Sequence, residues 1–352
     1  MIQSGRASRW WAAMTEVALA EVAFLPVDQY LHPLLPMIWF SVVLFCLTMY
    51  VALDGFDFGI GILYATRTDE DDRETLLSAF GPIWDANEVW IVAFGTTLLA
   101  AFPPVYSRLL SDHYLLSLAI VIALIFRGVA PELREHRDND QWKRTCDRLF
   151  VAGSTLAPIL LGALVGSWVF ASGMLGVPSL LTSLVVVCLS VTSGAAFLAM
   201  KTQGRLRVEV RRYGIAATVA YLLAVAALLS VVFTDDSASV RDQLLAAPAP
   251  EIIGLTVVIS VVGVLLARHD RARLWFGSTL TLSGLLGSLV AVLLFPTIYP
   301  AGGYTIEETI VSPLALNLVT VLGLPVLVFV LWYFKFLYGV FQGPIEEGGY
   351  GH

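Results

Sequence analysis

The sequence predicts an all-α polytopic membrane protein of about nine spanning helices, and three observations carry that prediction. Of the 352 residues, 57% are hydrophobic and only 14% are charged, with a mean hydropathy of +0.78. A soluble domain carries about 25% charged residues, so these charges are too few to cover a globule in water. Apolar runs of about 20 residues, the length that crosses hydrocarbon as a helix, recur along the whole chain. Lys and Arg collect in alternate connections, as they do in multi-pass proteins.

The runs fall at roughly 35–65, 82–103, 113–131, 149–172, 178–200, 213–233, 251–268, 274–298 and 314–340. The first and last exceed the thickness of the hydrocarbon and are expected to tilt or project. Residues 1–33 read as an extracytoplasmic tail. They include Trp10 and Trp11, which suit an interface, and Glu16 and Glu21, with no long apolar stretch of the kind a cleaved signal peptide needs. Residues 34–341 form the transmembrane domain, and residues 342–352 a cytoplasmic tail.

Orientation follows from the basic residues. The loop after the first run has Arg67 and Arg73, and the loop after the third has Arg134, Arg137, Lys143, Arg144 and Arg148. The loop after the fifth has Lys201, Arg205, Arg207, Arg211 and Arg212, and the loop after the seventh Arg268, Arg271 and Arg273. The opposite loops hold only Arg108 and Arg241. The odd-numbered loops are therefore expected in the cytoplasm, with the N-terminus outside and the C-terminus inside. The net charge of −7 is spread over loops and tails, and no basic patch suits nucleic acid.

Polar residues inside the runs point to function. The first run contains VALDGFDFGIGIL, with Asp54 and Asp57 three apart on one helix face in its inner half. The second opens GPIWDANEVW, with Asp85 and Glu88 again three apart. An ionisable residue in a span costs about 2.5–3.5 kcal/mol on insertion scales, so four in one hairpin call for a reason. Burial penalises the charged form of a carboxylate, so such a group exchanges protons near neutral pH. Acids in series, with Asn87 and water between them, make a relay open to the cytoplasm. The structural alternative makes Asp85 a helix-start residue favoured by the helix dipole, and Asp54 a partner of a neighbouring helix.

Other residues admit plainer roles. Gly55, Gly59 and Gly61 allow close helix approach, or a kink around the acids. Arg127 either snorkels to the interface or pairs with the carboxylates or with an anionic group on a partner, and Pro131 is expected to end its helix. Trp84 suits an interfacial belt, whereas Trp90 lies nearly two turns deeper. Asn317 reads as a helix-to-helix hydrogen bond, and Glu307 and Glu308 as solvated loop residues. Cys46, Cys146 and Cys188 lack CxxC spacing and read as small buried hydrophobes. His32, His113, His136, His269 and His352 fall in tails, loops or helix ends, where they do not supply the intramembrane axial ligands a haem needs. No residue of this chain is read as catalytic or as a metal ligand.

The pair DGFDFGIGIL (54–63) and GPIWDANEVW (81–90), followed by FPPVY (102–106), closely resembles subunit II of the cytochrome bd-type quinol oxidases. FRGV (126–129), MKTQGRL (200–206), ARHDRARLWFGSTLTL (267–282) and LALNLVT (314–320) extend the resemblance over residues 35–340. It implies two four-helix bundles and a peripheral helix, paired in a heterodimer with a similarly folded subunit I. That partner carries two b-type haems, one d-type haem and the quinol site, and subunit II carries no haem. The complex sits in the bacterial plasma membrane, oxidises ubiquinol or menaquinol, reduces oxygen to water with cytoplasmic protons, and so generates a proton-motive force. Small accessory subunits, and a structural quinone in this subunit, are left open.

The resemblance assigns the acids matching Asp54, Asp57 and Asp85 to a proton route and sets the indole matching Trp90 near an apolar route for oxygen. Where other members read WDGNQVW this chain reads WDANEVW, so a role for Glu88 rests on its position alone. The rival reading, a proton- or ion-coupled secondary transporter, expects matching acidic, glycine-broken segments in both halves. The sixth to eighth runs are nearly free of acids. A purely structural subunit would keep the partner interface and drop the proton path.

Overall fold

The computed structural model describes residues 25–81, 83–234 and 238–340. Trp10, Trp11, His352, the 342–352 tail and most of the 1–33 tail lie outside the described residues. Among the described residues thirteen α-helices follow one another: α1 (Leu35–Tyr64), α2 (Glu70–Phe80), α3 (Trp84–Ala101), α4 (Pro103–Asp112), α5 (Tyr114–Glu135), α6 (Asp140–Phe170), α7 (Val177–Lys201), α8 (Gly204–Thr234), α9 (Ala238–Leu245), α10 (Ala249–Arg268), α11 (Ala272–Leu293), α12 (Ile306–Thr309) and α13 (Pro313–Val340). Eight are long and apolar enough to cross a membrane: α1, α5, α6, α7, α8, α10, α11 and α13. The run expected at 82–103 is the 18-residue α3, and its polar opening turn separates it from those eight.

The helices pack in chain order as two groups of four, α1/α3/α5/α6 and α7/α8/α10/α11, joined along α1, α6, α7 and α11. Burial ranks them. In α7, 78% of the most apolar stretch is buried inside the chain, against 11% in α13, so α7 is central and α13 peripheral. The contact between α1 and α7 depends on glycine. A Cβ at Gly59 would strike the backbone of Ser190 and lie 2.9 Å from the Gly194 Cα. Only hydrogen at these positions lets the two backbones meet.

Local chemistry sets the ends. The Asn139 side chain accepts from the Gln141 and Trp142 amides and starts α6, and Asp69 caps α2 through the Asp71 amide. Helix α5 does not end at Pro131, as expected, but runs through it to Glu135. Proline removes one backbone donor but leaves later amides free to bond, and the extra turn carries Arg134 into an ion pair with Asp147 at 2.8 Å and another with Glu70.

Ion pairs hold the basic loops together at one end of the molecule. Arg67 reaches Glu209 at 2.6 Å, Arg73 reaches Asp147 at 3.3 Å, and Tyr64 donates to Asp147 at 2.6 Å. At the other end Tyr299 donates to Asp112, and the Trp168 indole donates to the Ile298 carbonyl. Asn317 does not join two helices as expected. Its amide donates to the carbonyls of Pro26 and Gln29 and accepts from the Leu31 amide. Irregular backbone leaves groups of both kinds unmet, and an amide side chain answers both. Glu308 is likewise more than solvated: with Thr305 it closes a capping box at the start of α12.

Candidate functional site

Helix α1 brings the first two acids into the core. Asp57 lies about 10 Å and Asp54 about 15 Å from the basic end of α1, at 1.5 Å per residue. Both are 0% exposed. Asp54 faces Arg127 of α5, whose Nη1 donates to Oδ1 at 2.5 Å, and the phenol of Tyr50 lies against the same carboxylate. Arg127 is itself 0% exposed and sits over the rings of Phe58 at 4.8 Å and Phe80 at 5.9 Å. It does not snorkel. Of the fates open to it from sequence, pairing with the carboxylates is the one observed.

Helix α3 supplies the opposite wall. Glu88 accepts from Arg127 Nη2 at 3.3 Å and remains 25% exposed. One residue earlier, Asn87 is buried; its Nδ2 donates to Asp57 Oδ2 at 2.8 Å, and its Oδ1 accepts from the Tyr338 hydroxyl of α13 at 2.7 Å. The other Asp57 oxygen has no hydrogen-bond partner among the described residues, nor has the Arg127 Nε. One guanidinium therefore pairs with two carboxylates, Asp54 and Glu88, while Asp57, one turn along α1, is held by Asn87 instead. An isolated ionised carboxylate out of water is costly, so occupancy of the proton sites and the hydrogen-bond pattern are tied together.

Asp85, the fourth acid, stands apart. It is exposed at the first turn of α3 and makes no ion pair among the described residues. The structure thus brings together Asp54, Glu88 and Arg127 directly, joins Asp57 to them by proximity along α1, and leaves Asp85 at the rim.

The indoles fix the frame. Trp84 stacks on Phe80 with ring centroids 5.7 Å apart and lies against Gly128, where a Cβ would meet its ring at 2.7 Å. Trp90 is buried, edge-on to Phe45 at 5.8 Å and tilted against Phe334 at 5.4 Å, with its Nε1 unbonded among the described residues. Tyr50, Asp147 and Tyr338 belong to no motif in the sequence, and Arg134 reads there only as one of the basic residues of its loop. Tyr50 was legible as a residue one turn before Asp54, but Tyr338 reaches Asn87 across 251 positions with no local signal.

The remaining candidates are placed as follows. The three cysteines are buried and free. His113 bonds Ser167 and the Leu109 carbonyl, and His136 the Glu132 carbonyl, so both act at helix ends. Among the described residues no group of three or more His, Cys, Asp or Glu side chains is disposed to hold a metal ion.

Comparison with known proteins agrees in extent and in kind. The chain is 27% identical over 331 residues to the cytochrome bd ubiquinol oxidase subunit 2 of Bacillus subtilis, covering 88% of this chain and 96% of the relative. It is 26% identical over 372 residues to the cytochrome bd-I ubiquinol oxidase subunit 2 of Escherichia coli K12, covering 90% and 96%. Its fold matches a chain in the structure of the bd oxidase from Geobacillus thermodenitrificans with a TM-score of 0.71 at 16% identity, over 88% of this chain and 99% of that one. The profile of the family described as cytochrome bd terminal oxidase subunit II matches residues 35–341, so the eight apolar helices and the buried acids of α1 are those of a chain that belongs to the cytochrome bd terminal oxidase subunit II family.

Proposed function

We propose that this chain is the haem-free subunit of a quinol:oxygen oxidoreductase, and that its buried acids take up protons from the cytoplasm for oxygen reduction in a haem-bearing subunit I. The relatives named above are ubiquinol oxidase subunits, which supports the reaction class. The observation that carries the proton role is the burial of Asp54 and Asp57 beside a single guanidinium, with partly exposed Glu88 on the same arginine. Asp85 and Glu88 form the mouth, and Asp54 and Asp57 the inner stations. The excess of basic residues at that end supports a cytoplasmic mouth, with the N-terminus outside and the C-terminus inside.

The chain's own steps are limited. Glu88 exchanges a proton with water. Arg127 holds Glu88 and Asp54 within one hydrogen-bonded unit, so protonation of one acid changes the field at the other. Asn87 fixes the Asp57 carboxylate, leaving Oδ1 as the free acceptor. The iron chemistry belongs to subunit I.

The test uses the intact complex in liposomes. Asp57→Asn should lower oxygen reduction and internal proton uptake together by about 10²-fold, the usual scale of a lost acid–base group, with the visible haem spectrum intact. Asp85→Asn should slow both to a smaller degree, because water substitutes for a rim acid. If both variants consumed oxygen and protons at the parental rate, the proton role would be wrong.

A further inference from the structure

Away from the acid cluster, the α8 start and the α10–α11 turn build a second charged feature. Asp270, in the left-handed region at φ 59°, closes that turn and receives two arginines from α8: Arg207 at 3.1 Å and Arg211 at 3.2 Å. Arg271 and Arg273 stand exposed on the same corner. Two adjoining clefts of about 540 and 420 Å³ share Arg207, Asp270 and Met200. One is lined also by Arg211 and Val208, the other by Arg271, Arg273 and Leu274.

Four arginines line the two clefts against a single aspartate, which pairs with two of them, so positive charge is in excess. The clefts also have an apolar side: Leu274 is 61% exposed and Val208 40% exposed. Those side chains continue into the outward faces of α8, α10 and α11, helices whose apolar stretches are only 22%, 22% and 28% buried. A basic pocket between helix ends, rimmed by lipid-facing apolar surface, fits a molecule with an anionic head and hydrocarbon tails.

We propose that the Arg207/Arg211/Arg271/Arg273 corner binds the phosphate headgroup of an anionic glycerophospholipid, with Asp270 as an internal competitor for Arg207 and Arg211. When the headgroup enters, the two guanidiniums exchange the carboxylate for phosphate oxygens, and the acyl chains lie along Val208 and Leu274. Asp270 keeps the pocket ordered without lipid and sets how readily it fills.

The experiment measures lipid retention by the purified intact complex, using native mass spectrometry. Phosphatidylglycerol, phosphatidylcholine of matched chains and inorganic phosphate are added separately. The parental complex should retain phosphatidylglycerol over phosphatidylcholine. Arg207→Gln with Arg211→Gln should weaken phosphatidylglycerol retention about 30-fold, on the scale of two lost basic contacts at a membrane surface. Asp270→Asn should strengthen it, and Arg271→Gln with Arg273→Gln, which leaves the Asp270 pairs in place, should weaken it independently of any effect on folding. Equal retention of the two lipids would overturn the proposal. So would inorganic phosphate displacing phosphatidylglycerol at equal concentration, a fall in the Asp270→Asn variant, or no effect of either arginine pair.

Discussion

Arg127 keeps a guanidinium away from water between two aromatic rings, and only its carboxylate partners make that tolerable. Removing one partner of such a pair leaves the other charge buried, at a cost of about 3–5 kcal/mol. Arg127→Leu should therefore lower the melting temperature of the purified complex markedly. Adding Asp54→Asn to it should recover part of the loss, because the surviving acid no longer needs its cation. A double variant no more stable than Arg127→Leu alone would show that the pair is not coupled. The sequence made the acids and the arginine conspicuous, since charge in hydrocarbon stands out. It did not choose among the fates of Arg127, because choosing needs the rotation of α5 against α1. Glu88 had no support from the family motif, yet it shares Arg127 with Asp54. Tyr338 was invisible because a tyrosine near a helix end is ordinary until the helix is docked.

At the scale of the element, α1 and α7 pack through a contact that Gly59 alone permits on its side. Gly59→Val should cost about 1–3 kcal/mol through overpacking, or block assembly, whereas the same change at Gly55, where a Cβ meets only the Ser190 Oγ at 3.7 Å, should be milder. Thermal unfolding of the two variants distinguishes them, and equal effects would contradict the packing account. The α12 capping box makes a pH prediction. Hydrogen bonds from the backbone amide and the hydroxyl of Thr305 hold the Glu308 carboxyl below its usual range. A depressed folded-state pKa contributes stability above the ordinary glutamate value of about 4.3 and loses it as pH falls through the lower, folded value. Hydrogen exchange at the Thr305 amide should accelerate in that acid window in the parent and be fast throughout in Glu308→Gln. The apolar runs located every long helix, although the run at 274–298 overshoots the end of α11 at Leu293. They missed the extensions of α5, α6 and α8 beyond hydrocarbon, because their polar turns are stabilised by ion pairs between loops that no local pattern reveals.

For the whole molecule, the fold class was readable because the balance of apolar to charged residues leaves little choice of solvent. The grouping of helices into two sets of four came from the motif resemblance, since apolar runs say which helices exist and not which ones touch. The peripheral place of α13 follows from its packing. Trp39 donates to Thr320, and Phe334 and Tyr338 press on Trp90 and Asn87, while most of its other face is left to lipid or a partner. A tag on this chain should bring down visible haem absorption from native membranes, whereas the chain produced without subunit I should give none. A colourless preparation from native membranes would contradict the heterodimer.

In the proposed function the carboxyl of Asp57 gains and loses a proton as the oxidase works. Infrared difference spectroscopy of the intact complex, reduced minus oxidised, reads carboxyl protonation directly. A carbonyl-stretch feature of a protonated acid should be present in the parent and absent in Asp57→Asn, with the haem bands retained. Identical carboxyl features in parent and variant would rule out proton exchange at Asp57.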